Sequence, residues 1–212
     1  MVTPEHHLAL VDHLVESSAP VRRLWPVRLR MALFLSVWAA GALLVALTWP
    51  RPDLYAKLHD ASYLLELVML AVATGFMTLM ALRCAVPGRA PSRVETVVAI
   101  GLLVGVAGVL AAQPAGAPAF DGWLCGLRTV AFAIVPWSML LLAIRRGAPV
   151  RVRNAALYAG AAALLFATTV LRLACPADGP QHWLAWHLAV VPLFTLLTTP
   201  LATRWLQGWR HA

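Results

Sequence analysis

Six apolar runs, at about 31–49, 62–82, 94–112, 124–144, 155–174 and 183–203, occupy nearly everything after Arg30. Each is close to the ~20 residues an α-helix needs to cross a bilayer. A buried core helix needs less length, and a soluble domain would not contain six. The predicted fold is therefore all-α: a polytopic bundle of six transmembrane helices. The composition agrees, with 61% hydrophobic and only 12% charged residues in 212. The first thirty residues are too short to bury a core of their own, so no soluble catalytic domain fits and no enzyme is expected. The expected organisation is a cytoplasmic segment (1–30), a six-span domain (31–206) and a cytoplasmic C-terminal tail (207–212).

The net charge of +8 would suggest nucleic acid in a soluble chain. Here most basic residues sit beside spans, so they report topology, and no direct nucleic-acid contact is expected. Of the 17 Lys and Arg, thirteen fall on one side: Arg22, Arg23, Arg28, Arg30, Arg83, Arg89, Arg93, Arg145, Arg146, Arg151, Arg153, Arg204 and Arg210. The other side holds Arg51, Lys57 and Arg172, with Arg128 just inside span four. Positive residues stay cytoplasmic, which predicts both termini inside a bacterial cytoplasmic (inner) membrane. The first run starts late and exceeds the ~7–15 residues of a cleavable signal-peptide core, so it is expected to remain as an anchor. Trp25, Trp205 and Trp209 mark inner ends and Trp49, Trp123, Trp183 and Trp186 outer ends, where indoles favour the headgroup level. Trp38 and Trp137 are expected between helices.

The links between runs are short and rich in proline and glycine, which stop helices. Successive helices should then pack as antiparallel neighbours. Pro136 and Pro192 are expected to kink their spans. Gly101, Gly105 and Gly108 in span three, and Gly160 to Ala163 in span five, suggest close helix packing.

Thr3-Pro4-Glu5 reads as a helix start, with Thr as cap, Pro at the first helical position and an acid in the first turn. Leu10, Val11, Leu14 and Val15 follow at helical spacing, opposite Asp12, His13 and Glu16, and Ser17 to Pro20 ends the pattern. One amphipathic helix of about fourteen residues is marginal alone in water. A membrane-surface helix usually carries a basic polar face, whereas this face is acidic. A protein groove is the favoured partner, with Arg22 and Arg23 adding contacts or anchoring at headgroups.

Three cysteines are present. Cys84 lies at the predicted inner end of span two, whereas Cys125 and Cys175 lie at outer ends, with His182 and His187 opening span six nearby. Two thiols and two imidazoles at one depth suit a soft or borderline metal such as copper, zinc or cadmium. They also suit a redox pair, a fixed Cys125–Cys175 disulfide, or unpaired packing thiols. A spacing of five places the two histidines on different faces of an ideal helix, so ligation by histidine is the weaker half. Glu66 in span two and Arg128 in span four are an intramembrane acid and base near the outer face, expensive unless paired or wet. An ion pair between them is expected, with a proton or substrate path as the alternative. No nucleophile–base set, phosphate loop or zinc-helix motif occurs.

The stretch Leu171-Arg172-Leu173-Ala174-Cys175-Pro176, continuing through Gly179, His182 and Trp186-His187, resembles the signature of NrsF-type membrane anti-sigma factors. Cys125-Gly126-Leu127-Arg128, the link Arg145 to Pro149 and the segment Leu14 to Leu24 resemble the same family, whereas Cys84 lies outside its pattern. The resemblance implies six spans, a cytoplasmic N-terminal segment, and two outer-face cysteines that map to Cys125 and Cys175. It further implies that the chain holds an extracytoplasmic-function sigma factor inactive at the membrane and releases it under metal or related envelope stress. A small transporter or metal-efflux protein using Glu66 and Arg128 is the competing reading. An intramembrane redox enzyme would need an inward-facing histidine pair for haem or a quinone site, and neither is evident.

Overall fold

The computed structural model describes residues 11–13, 15–16, 23–113, 122–147 and 149–208. Among these residues, six helices are long and apolar enough to cross a membrane. We label them α1 (Val27–Thr48), α2 (Ala61–Cys84), α3 (Arg93–Ala111), α4 (Trp123–Arg145), α5 (Val152–Arg172) and α6 (Pro180–Gln207). A single helical turn, Leu54–Lys57, lies in the link between α1 and α2. All six match the apolar runs. Of the amphipathic N-terminal stripe, Leu10, Leu14 and Arg22 lie outside the described residues; Val11 and Val15 are helical and exposed.

Local chemistry sets the helix starts. Asp60 accepts from the Ser62 amide at 2.9 Å and caps α2. Ser92 and Glu95 form a reciprocal capping box on α3, satisfying two donors that the first turn would otherwise leave unpaired. Arg83, in the last turn of α2, pairs with the same Glu95. Pro180 opens α6 after Gly179, a position where the missing N–H costs nothing.

The central element is α5, in which residues 159–172 are all buried. Its Ala159-Gly160-Ala161-Ala162-Ala163 run has little side-chain bulk, so α2, α4 and α6 all pack against it. A Cβ added to Gly160 would lie 3.2 Å from the Thr195 side chain of α6. Of the glycines of span three, only Gly105 makes the expected close approach, where an added Cβ would lie 3.2 Å from the Met69 side chain of α2. Gly101 and Gly108 meet nothing within 4 Å, and α3 is peripheral, with only Ala99, Val106 and Leu110 buried. Helix α1 is also peripheral and buries Arg30, Phe34 and Val45.

Pro136 lies inside α4 and Pro200 inside α6. The kink expected at Pro192 takes the form of a π-helical turn just before it, Leu184–Leu188, with the Ala189 amide donating to the Leu184 carbonyl at 2.8 Å. A proline ring clashes with the carbonyl four residues earlier, here Leu188, so the distortion falls on its N-terminal side. At one end of the bundle Arg23, Arg30 and Arg146 come together, and Arg145 lies 4.5 Å over the Trp205 ring. The opposite end carries Arg51, Arg172, Asp178 and the two clustered cysteines.

Candidate metal centre

Cys125 sits in the first turn of α4, and Cys175 just beyond the end of α5. His182 and His187 occupy the opening turns of α6. One ligand atom from each of the four lies within 4.8 Å of all the others. The two sulfurs are 4.0 Å apart, and Cys175 Sγ is 3.6 Å from His182 Nε2. A tetrahedral ion with bonds of ~2.0–2.3 Å sets its donors about 3.3–3.8 Å apart. These two pairs are near that already, and no pair needs more than about 1.5 Å of closure.

The histidine spacing proves more favourable than an ideal helix allows. At 3.6 residues per turn, positions five apart diverge by about 140°. The π turn closes five residues into one loop of hydrogen bonding, and the two imidazole centroids are 5.3 Å apart. Thr129, one turn after Cys125, fixes the second ring. Its hydroxyl donates to the Cys125 carbonyl at 2.9 Å and lies 3.0 Å from His187 Nδ1. With its proton committed to the carbonyl, the hydroxyl accepts from Nδ1–H, which leaves a lone pair on His187 Nε2. That nitrogen is buried without a hydrogen-bond partner, an arrangement expected of a ligand oriented through its other nitrogen. Trp183, expected at a membrane interface, is instead 1% exposed and stacks on His187 with ring centroids 3.9 Å apart. Its indole N–H donates to the Ala177 carbonyl.

Burial pushes the Cys175 thiol up to about 11; an Ala177 backbone hydrogen bond opposes the shift and Cys125 adds to it. Cys175 is therefore a protonated thiol at neutral pH, and a metal must displace its proton to bind. The donor set of two sulfurs and two imidazoles fits Cu(I), Zn(II) or Cd(II). Cys84 is buried at the far end of α2 and takes no part.

Beside the cluster lies a charge network. Glu66 pairs with Arg172, Oε2 to Nε at 2.7 Å, and both are buried. This corrects the expected Glu66–Arg128 pair. Helix α2 packs chiefly on α5, so Glu66 meets the arginine that ends α5. Arg128 is exposed and stacks 4.8 Å over Trp49, because the neighbouring Thr129 takes the inward position. Arg51, 1% exposed, binds Asp53 at 2.6 Å and Asp178 at 2.9 Å. Asp178 also accepts from Arg172 at 3.0 Å and Lys57 at 2.9 Å. Burial alone would raise the Asp178 carboxyl; hydrogen bonds from Arg51 and Lys57 and the charges of Arg51 and Arg172 hold it well below the usual range. The Arg172 guanidinium lies 4.7 Å over the Trp183 ring, so the network touches the wall of the cysteine–histidine cluster.

Sequence reading did not identify Thr129, Trp183, Arg51 or Asp178 as part of this site. A usable signal existed for the last two: the links at this end carry acids and bases together, whereas the links at the opposite end, 85–92 and 146–151, hold arginines and no acid.

Neither a curated protein nor a solved structure matches the sequence. Residues 14–209 match the family model described as negative regulator of sigma F. With that match over nearly its whole length and six helices fit to span a membrane, the chain belongs to the NrsF family of anti-sigma factors.

Proposed function

We propose that this chain holds an extracytoplasmic-function sigma factor at the cytoplasmic face of a bacterial inner membrane and releases it when Cys125 and Cys175 are engaged by a metal. Both termini are cytoplasmic in this reading, on the basis of the thirteen basic residues that the order of spans assigns to one side. The N-terminal segment, with Leu10, Val11, Leu14 and Val15 as its apolar stripe and Arg22 and Arg23 behind it, docks on the sigma factor. The sigma factor, not DNA, is the partner, and the protein's role is regulatory rather than enzymatic. The observation that carries the sensing is the set of four donor atoms within 4.8 Å of one another, on three segments of the bundle.

Release is a population shift. Only a ligand that binds one bundle arrangement better than another can change sigma affinity. Drawing the four donors together moves the start of α4 and the opening of α6 relative to α5. In their last turns Arg145 and Trp205 stack on each other at the far end. A ~100-fold loss of sigma affinity needs about 2.7 kcal/mol of coupling, modest beside the binding energy of thiolate sites. The sulfur pair at 4.0 Å also supports an oxidative route to the same shift, through a reversible disulfide. The transport reading loses support, because Glu66 is engaged by Arg172 and Arg128 lies apart from it.

The test is a sigma-dependent promoter reporter in cells with and without Cu, Zn or Cd, alongside thiol trapping. Cys125→Ser and Cys175→Ser should each abolish induction at normal protein abundance, His182 and His187 substitutions should weaken it, and Cys84→Ser should leave it intact. Wild-type induction in both outer-face cysteine variants contradicts sensing at this site. A sulfur–sulfur bond persisting under every condition would make the pair structural.

A further inference from the structure

At the arginine-rich end, a cavity of about 700 Å³ opens between α1 and α4, and Arg23, Arg30 and Arg146 line it together with apolar side chains such as Leu33 and Leu140. Arg30 is the unusual member. It is only 8% exposed, its Nε donates to the Trp25 carbonyl at 3.1 Å, and both terminal guanidinium nitrogens are buried without a hydrogen-bond partner. A buried charge with unused donors is costly unless an anion meets it. Phe34 and Met139 line this cavity and also a second one, an apolar groove of about 380 Å³ that runs on between α1 and α4 past Val37, Gly41 and Val135. From Arg30 to Gly41 the helix rises about 16 Å, half of a ~30 Å hydrocarbon layer. The combined space therefore has a cationic mouth and an apolar channel one leaflet deep.

We propose that this crevice binds one anionic phospholipid, with its phosphodiester on Arg30 flanked by Arg23 and Arg146 and an acyl chain lying in the groove beside Phe34 and Val135. Charge complementarity selects the anionic headgroup, and a fork of guanidinium donors suits phosphate oxygens. A free phosphate would satisfy Arg30 and leave the groove unused. Trp25 and Arg23 lie directly after the N-terminal segment, so the bound lipid would also fix where that segment leaves the membrane. This inference is independent of the sensing and sigma-binding roles proposed above.

Native mass spectrometry of the full-length protein in detergent tests it, with dioleoyl phosphatidylglycerol, dioleoyl phosphatidylcholine and inorganic phosphate as the added probes. One phosphatidylglycerol should be retained in preference to phosphatidylcholine. Arg30→Gln should weaken that retention by roughly tenfold or more, and Arg30→Lys less. Val135→Trp, which fills an exposed part of the groove, should reduce lipid retention with Arg30 intact. Equal retention of the two lipids by the wild type overturns the proposal, whether or not the variants fold. Displacement of phosphatidylglycerol by millimolar phosphate would assign a small-anion site instead. Lipid binding that emerges only in Asp12→Asn/Glu16→Gln would show that the chain's own acidic segment fills the crevice, which also overturns it.

Discussion

Thr129 illustrates how one neutral side chain sets the chemistry of its neighbours. Its hydroxyl relays a carbonyl of α4 to an imidazole of α6, and so leaves His187 Nε2 as a buried acceptor with its lone pair unused. Thr129→Val keeps the shape and removes the relay. Metal affinity of the purified protein, read by titration against a competing chelator, should fall about 10–100-fold, the usual cost of losing such an orienting partner. Thr129→Ser should restore most of it. Asp178 acts through charge instead. Its folded pKa is depressed, so its contribution to stability is fully present above about pH 4 and is lost only as pH falls below that. Asp178→Asn should therefore lower the thermal midpoint at pH 7 and flatten the fall in stability below pH 4. The loss should be about 1–3 kcal/mol, limited because Arg51 keeps Asp53, Arg172 keeps Glu66, and the carboxylate is partly exposed. Of these residues, the sequence exposes the cysteines and histidines by their chemistry and depth. Thr129 is hidden because nothing in a threonine's neighbours along the chain reveals a partner 58 positions away.

Among the elements, the helices themselves were legible from run length, and the central place of α5 follows from its alanine-rich surface. The same reasoning held in α3 only for Gly105, which meets Met69, whereas Gly101 and Gly108 have no neighbour; small residues permit close approach but do not supply a partner. The π turn in α6 was not legible either. A run of apolar residues is compatible with either hydrogen-bond register, and Pro192 indicates where a helix is disturbed without saying how. At the other end of the bundle, one link is fixed by space alone. A Cβ on Gly147 would stand 2.1 Å from the Ala85 carbonyl oxygen. Because the obstacle is backbone, Gly147→Ala must separate the α4–α5 link from the end of α2. A loss of about 1–3 kcal/mol is expected, visible as a lower thermal midpoint in detergent, whereas Gly101→Ala should be close to neutral.

Over the whole molecule, the proposed function places a sensor at one end and a binding segment at the other, and so needs a bundle that can transmit a displacement. The elements that span that distance are α4 and α6: each carries cluster residues at its start, and they meet again through Arg145 and Trp205. α5 stays between them as the packed reference. The charge asymmetry that suggests orientation, and the six spans, were plain in the sequence; the coupling route was not, because it depends on which helices touch. Linkage adds a strict constraint. If metal weakens sigma binding by some factor, sigma must weaken metal binding by the same factor.

The most direct test is the affinity of the purified, detergent-solubilised protein for its sigma factor, measured with and without saturating Cu(I) or Cd(II), in the wild type and in Cys175→Ser. Adding metal to the wild type should lower the affinity about 100-fold and leave Cys175→Ser unchanged, with Leu10→Asp/Leu14→Asp binding weakly in both conditions. Sigma affinity that is indifferent to a metal shown to occupy the wild-type protein would contradict metal-driven release.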